Sequence, residues 1–424
     1  MEAREVQQAF GPLLLRFRVR SGLTQQELAD FSTISVRAIR DLEHGRARTP
    51  RRDTVRLLAD GLRLNDRDRE DLHAAAGRRS GHGCPSLRLQ DVAGDPPVAR
   101  TPLLGRKGNL ATLTAGLASV GDRIVSVVGL PGVGKSRLAA EAAARLHRDP
   151  GLRVAWACGD ACELVHDPAR TPLPAAAVDA LHSDTGDTDA LDTVAAVLGD
   201  EPVLLVLDDP RPDRLAAAPV ARLLASCPGL RILATARRPH GLPGEQVFLL
   251  DPPEQEDARE ILDHHLGLAD PRLRFGDPRT EEICLLLDAL PGALVSAASW
   301  SSVYDLDTLR ALLVEDPFPL LARLDGGGPD RRNAFLTAVE DCPGEQRSLL
   351  SALRAFPEGV TAASLAEASG SSMTDCGRSL AGLMTRGLVR RDRGSALSLF
   401  RTPRLVGLLD PAPHTFDDRI GATP

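Results

Sequence analysis

At 424 residues the chain has the length of roughly two to four domains. Its 43% apolar and 26% charged residues suffice for packed cores and exclude wholesale disorder. A formal charge of −7 excludes coating nucleic acid along the whole length, so any DNA contact must come from a local patch. In chain order, residues 1–77 read as a helical bundle and 78–101, rich in Gly and Pro, as a linker. Residues 102–250 alternate short apolar runs with helical stretches, the pattern of a parallel sheet with crossover helices. A helical domain is expected over 251–335, a winged helix over 336–409 and a Pro-rich tail over 410–424. No repeat of 20–50 residues is present.

Thr24-Gln25-Gln26-Glu27 has the form of a capping box, in which the hydroxyl and carboxylate satisfy each other's free amides at a helix start. After a turn through "FSTI", Ser35 is placed to cap a second short helix. There Val36, Ile39 and Leu42 share one face and Arg37 and Arg40 another, and Gly45 ends the run. Thr49-Pro50 then opens a further helix. Two short helices at this spacing predict a helix-turn-helix whose second helix enters the major groove. Arg37 and Arg40 are the candidates for base edges, with Gln25, Gln26 and Ser35 beside them on phosphate or base. Residues 1–60 hold eleven arginines against eight acids, a local charge of +3. The competing reading is a bundle for protein contacts with solvated arginines. "LTQQELA" and "SVRAIRDLEHG" resemble the Cro and phage-repressor (XRE) type of helix-turn-helix, which implies a double-stranded DNA operator as partner.

Gly129 to Ser136, "GLPGVGKS", fits G-x-x-x-x-G-K-[ST], with the buried strand "RIVSVV" before it and the helix "SRLAAEAAARL" after it. That context predicts a phosphate cradle for ATP or ADP from Gly129, Gly132, Val133, Gly134 and Arg137. The helix N-terminus adds its partial positive charge. Lys135 would bridge phosphates and the Ser136 hydroxyl would bind Mg²⁺. Lys135 and Lys107 are the only lysines in the chain, so a lysine kept at this position, against so strong an arginine bias, suggests that a compact ammonium is needed. "PVLLVLDD" supplies Asp208 for the metal through water, and Asp209 to orient or deprotonate the attacking water. For Asp209 a helix cap is the equal alternative. A third strand, "LRILAT", ends at Thr235-Ala236-Arg237, where an arginine can sense a γ-phosphate.

"LLGR" (Leu103 to Arg106), "LLVLDD", "ATARRP" and "ALPGAL" together resemble the NB-ARC class of signal-transducing (STAND) P-loop NTPases over roughly 102–409. The resemblance implies Arg106 and Pro291 on the adenosine side, Lys135 and Ser136 on phosphate and metal, and Arg237 on the γ-phosphate. It also implies a winged helix that clamps the nucleotide. Two departures stand out. Gly292 replaces the last leucine of the GLPL motif. The place of the Met-His-Asp motif falls at Leu399-Phe400-Arg401 and carries no histidine, leaving Arg401 or Arg404 as substitutes.

The expected fold is therefore multidomain: an all-α helix-turn-helix bundle, an α/β P-loop NTPase, a helical domain and a winged helix. The expected function is transcription regulation switched by ATP against ADP, with slow hydrolysis as a timer. One alternative is an ADP-filled protein acting through assembly. A small-molecule P-loop kinase is the lesser one, since the core offers no Arg-rich lid and the N-terminal reader would go unexplained. A homo-oligomer and a sensor protein are further expected partners. Residues 1–20 carry acids and repeated arginines rather than a signal peptide, and no apolar run nears the roughly 18 residues of a membrane span. A cytoplasmic location without a membrane partner is expected. Cys158 and Cys162, a C-x3-C pair with no second ligand pair, read as small thiols rather than a metal site.

Overall fold

The computed structural model describes residues 10–21, 23–32, 34–43, 52–62, 64, 68–69, 72, 93–97, 101–119, 121, 123–148, 152–158, 175–182, 188–208, 215–273, 276–324, 330–392 and 398–409. The chain divides into two compact units, 1–86 and 87–424. Asp209 and Cys162 lie outside the described residues, as does the tail 410–424.

In the first unit, helices α1 (Phe10–Arg20), α2 (Gln25–Ser32), α3 (Val36–Glu43) and α4 (Arg52–Gly61) surround one core. Leu14 and Phe17 of α1, Leu28 of α2, Ile39 of α3 and Leu58 of α4 are wholly buried in it. The spacing of these residues gives each helix a single inward stripe. The Thr24 hydroxyl accepts from the Glu27 amide (3.2 Å) while the Glu27 carboxylate accepts from the Thr24 amide (2.7 Å). Ser35 caps α3 by accepting from the Ala38 amide at 3.2 Å.

In the second unit a six-stranded sheet runs in the order β1 (Ala93–Gly94), β3 (Arg153–Cys158), β4 (Val203–Asp208), β5 (Leu230–Ala236), β2 (Ile124–Val128), β6 (Glu245–Leu249). Every neighbouring pair is parallel except β1 with β3. Strands β2 and β4 are buried at every position, as expected for a sheet covered on both faces. Alternation divides each strand between two cores. Val125, Val127, Leu204, Val206 and Leu233 face one, together with α5 (Lys107–Ala118) and α6 (Lys135–His147). Ile124, Leu205, Leu207 and Ile232 face the other, under α7 (Ala175–Ala180), α8 (Thr188–Leu198) and α9 (Ala217–Ser226).

The first of these cores continues without a break into the C-terminal helices. Helices α10 (Gln255–Ala269), α11 (Pro278–Leu286), α12 (Pro291–Ser299) and α13 (Leu306–Glu315) contribute Leu262, Ile283, Leu294 and Leu309. Beyond them come α14 (Arg331–Glu340), α15 (Gly344–Leu353), α16 (Ala362–Ser369) and α17 (Met373–Thr385). A two-stranded antiparallel hairpin of β7 (Arg390–Asp392) and β8 (Leu399–Arg401) follows, then the short α18 (Arg404–Gly407). Helices followed by a hairpin make the winged-helix end. Helix α14 runs across the 335/336 boundary that the sequence suggests. Among the described residues no helix is long and apolar enough to cross a membrane.

Candidate functional site

Three strands deliver the site in the second unit, each at its carboxyl end, where open parallel sheets bind ligands. Strand β2 leads into the loop 129–134 and then α6. Within that loop Gly132 (φ +79°) and Gly134 (φ +101°) adopt backbone angles that a side chain would oppose. Strand β4 ends in Asp208, which lies beside Thr235 of β5 in register. Asp208 Oδ1 accepts from the Ser136 hydroxyl and from the Thr235 hydroxyl, both at 2.7 Å. The sequence thus brings Ser136 and Asp208 together as expected. This set of hard oxygen donors suits Mg²⁺, which takes a carboxylate and a hydroxyl and keeps its remaining places for water and phosphate.

The Lys135 ammonium donates to the carbonyls of Gly129 (2.9 Å) and Leu130 (3.0 Å). Burial pushes its pKa down to about 8; Asp208 pulls it back up and Arg237 pushes it further down. A buried ammonium held by carbonyls is a poor resting state and a strong attractor for anionic oxygen.

Arg106 braces the loop, whereas Arg137 bonds to neighbouring segments outside it. The buried Arg106 guanidinium donates to the carbonyls of Asp251 (2.7 Å) and Val133 (3.0 Å), tying the loop to the chain leaving β6. Burial lowers its pKa to about 10, so it stays charged at neutral pH. Arg137 donates to the Thr101 carbonyl (2.6 Å) and pairs with Glu141 (3.2 Å). Its side chain borders a groove of about 610 Å³, lined also by Leu103, Lys107, Leu110 and Ala140.

Apart from Pro291, sequence reasoning missed the residues that the C-terminal helices bring to this loop. Pro291 opens α12, and the next amide, that of Gly292, donates to the Gly132 carbonyl at 2.8 Å. A β-carbon at Gly292 would come within 3.0 Å of the Gly132 Cα and 2.6 Å of Arg331 Nη1. The glycine that departs from the GLPL pattern is therefore what lets α12 touch the loop. Arg237, at the end of β5, pairs with Asp341 at the C-terminal end of α14 (3.4 Å), with both side chains largely buried. Gly387, after α17, lies against Leu130 so closely that a β-carbon there would sit 3.1 Å from the leucine Cγ.

Arg401 is exposed on β8, and the Arg404 guanidinium is taken by the carbonyls of Leu286, Leu313 and Val314. Just before Pro291, Asp288 (φ +54°) and Ala289 (φ +56°) hold left-handed angles that cost about 1–3 kcal/mol each. The conformation is held by the buried Asp288 carboxylate, which accepts from the amides of Arg404 (2.9 Å) and Leu405 (2.7 Å). Burial raises the pKa of Asp288, against the pull of Arg390 and those two amides. This acid fastens the start of α12 to the winged-helix end.

In the first unit Arg37 and Arg40 are exposed on the face of α3 opposite the buried Ile39 and Leu42. Gln26 is exposed as well, and its amide reaches Asp30 at 3.1 Å. Gln25 is otherwise engaged: it donates to Glu43 (2.7 Å) and accepts from Arg40 (3.4 Å), so it braces α3. Glu43 is buried and takes two hydrogen bonds from Arg18, at 2.6 and 3.0 Å. Removing one partner of such a pair costs about 3–5 kcal/mol. Glu43→Ala is therefore expected to loosen the first unit alone. Both tryptophans, Trp156 and Trp300, lie in the second unit, so the check is hydrogen exchange resolved by peptide. Protection should fall across 10–64 and hold across the sheet; unchanged protection across 10–64 refutes it.

Among the described residues no group of three or more His, Cys, Asp or Glu side chains is arranged to hold a metal ion. Cys227, Cys284, Cys342 and Cys376 are buried free thiols.

Residues 9–72 match the helix-turn-helix domain family. An uncharacterized protein of Mycobacterium tuberculosis is 29% identical over 276 residues, which cover 61% of this chain and 66% of that one. A second protein of that organism, described as a candidate HTH-type transcriptional regulator, is 28% identical over 226 residues, covering 52% of this chain and 25% of its own length. The chain thus spans just under two thirds of the first relative and a quarter of the second. Among solved structures, Drosophila ORC bound to DNA covers 77% of this chain and 92% of its own, at 13% identity and a TM-score of 0.34. AMPPCP-bound DnaA from Aquifex aeolicus covers 72% and 93%, at 12% identity and a TM-score of 0.31. Superpositions at these TM-scores do not define a common fold.

Proposed function

We propose that the chain is a DNA-binding transcription regulator whose second unit is an NB-ARC-like nucleotide switch. The helix-turn-helix match over residues 9–72, and the relative described as a candidate HTH-type regulator, support the first half. The second half rests on one observation: Arg237, just after the strand beside the P-loop strand, is held by Asp341 of the winged-helix end. In this reading ATP or ADP lies on the loop 129–136. Lys135 neutralises phosphate, and Ser136 and Asp208 hold Mg²⁺. The adenosine lies toward Arg106, Pro291 and the groove beside Arg137. A bound Mg²⁺ would draw charge from the phosphate oxygens, and Asp209 would orient water for slow hydrolysis. A γ-phosphate competes with the Asp341 carboxylate for Arg237, so ATP and ADP favour different packings of α14. Such differential contact is what a ligand needs in order to shift a conformational equilibrium.

The DNA half has a direct test. Arg37 and Arg40 lie early in α3, where side chains meet base edges. Replacing either with Ala is expected to cost about 1–3 kcal/mol on a selected operator and much less on random DNA. Binding-site selection followed by gel-shift titration at fixed salt measures both. Equal losses on both DNAs would make these arginines backbone contacts, and no loss on either would move DNA recognition off α3.

A further inference from the structure

Helix α14 meets the P-loop domain at both ends. Its ten residues span about 15 Å. At the far end Asp341 holds Arg237. At the near end Arg331 lies on the phosphate loop itself. Its Nη1 would be 3.4 Å from a β-carbon on Gly132 and 2.6 Å from one on Gly292, and its Nε donates to the buried Ser296 hydroxyl at 3.3 Å. Two glycines thus leave room for a guanidinium over the crest of the loop, and α12 orients it. The charges around the loop are mixed: Lys135 and Arg237 are the cations, Asp208 lies beside the Ser136 hydroxyl, and Asp341 sits on Arg237. Guanidinium is the side chain whose planar fork matches phosphate oxygens.

We propose that Arg331 is a phosphate-binding residue, delivered to the nucleotide by the winged-helix end. The proposal rests on reading residues 129–136 as the nucleotide cradle. Nucleotide then becomes a bridge: its phosphates hold Lys135 from below and Arg331 from above. The α- and β-phosphates, common to ADP and ATP, anchor the near end of α14. The γ-phosphate acts only at the far end, through Arg237. The two ends therefore answer to different parts of one ligand, which allows α14 to pivot rather than detach.

The test is titration of nucleotide-free full-length protein with Mg·ADP for wild type, Arg331→Ala, Arg331→Lys and Lys135→Ala. Arg331→Ala is expected to weaken ADP about tenfold to hundredfold, the range for lost hydrogen bonds to a charged group. Arg331→Lys should recover part of that loss, since it keeps the charge and loses the fork. A purely structural arginine would instead lower the melting temperature of the nucleotide-free protein and leave ADP affinity within threefold. That result, with Lys135→Ala losing ADP, overturns the proposal alone. If Lys135→Ala also keeps wild-type affinity, the cradle reading fails and takes the proposal with it. Hydrogen exchange provides a measurement independent of affinity. Saturating ADP should slow exchange in residues 331–340 of wild type and not of Arg331→Ala; equal slowing in both overturns the assignment.

Discussion

Lys135→Ala is expected to lose ATP and ADP binding by at least about hundredfold, or roughly 2.8 kcal/mol, while the protein stays folded. The two halves of that expectation share one cause. In the structure the ammonium sits among the Gly129 and Leu130 carbonyls, and burial has lowered its pKa to about 8. The lowered value means that folding gains nothing from this charge, so its removal costs little. Phosphate reverses the balance by supplying the negative charge that the buried ammonium lacks. A pH dependence follows. Binding requires the protonated form, and above pH 8 the free protein increasingly lacks that proton, so nucleotide affinity should fall about tenfold per pH unit. The stability of the nucleotide-free protein has the opposite sign. Between the folded value near 8 and the ordinary 10.5 the unfolded chain holds more protons at this group, so its contribution rises with pH in that window. Titration calorimetry from pH 7 to 9.5, beside thermal melts, reads both. Nucleotide affinity within threefold of wild type in the alanine variant, or a flat pH profile, would mean that Lys135 does not hold phosphate.

How far the sequence could be read depended on the range of the interaction. The P-loop was legible because its chemistry is local: glycines, lysine and serine lie within eight consecutive residues, between a strand and a helix that each announce themselves. Strands β2 and β4 were legible because both faces of a parallel sheet are buried, which leaves continuous apolar runs. Asp208 then followed from the end of such a run. The capping residues Thr24, Glu27 and Ser35 are equally local.

What stayed hidden was made by packing between distant segments. Arg331 approaches Gly132 and Gly292 across nearly 200 and 40 residues, and Asp341 finds Arg237 across about 100. In a chain whose cations are almost all arginine, nothing marks out an arginine at a helix start. Gly292 carried a signal that was readable only once its neighbours were known: it looks like a lost leucine in the motif and proves to be the contact point with the loop. Gln25 shows the reverse case. Its place at a helix N-terminus suggests DNA, but Glu43 and Arg40 take its amide, and Glu43 is buried only because Arg18 lies across the bundle.

Asp341→Asn is expected to abolish the difference in operator affinity between the ADP state and the state bound to a non-hydrolysable ATP analogue. Arg237→Ala should abolish it from the other side. The two variants differ in their effect on the nucleotide. Asparagine removes the charge that competes for Arg237, so the analogue should bind up to about fivefold more tightly, the scale of a single long ion pair worth about 1 kcal/mol. Alanine removes the γ-phosphate's own contact, so the analogue should bind more weakly, with ADP little changed. Because coupling is reciprocal, saturating operator DNA should alter the wild-type preference for analogue over ADP by the same factor as the nucleotide alters operator affinity. The double variant isolates the pair: if Arg237 and Asp341 act on each other, their effects on the ADP state should not add. Gel-shift titrations at fixed salt and nucleotide titrations with and without operator supply the four numbers. Equal operator affinity in both nucleotide states of the wild type would refute the switch, and would favour the reading in which the second unit acts through assembly.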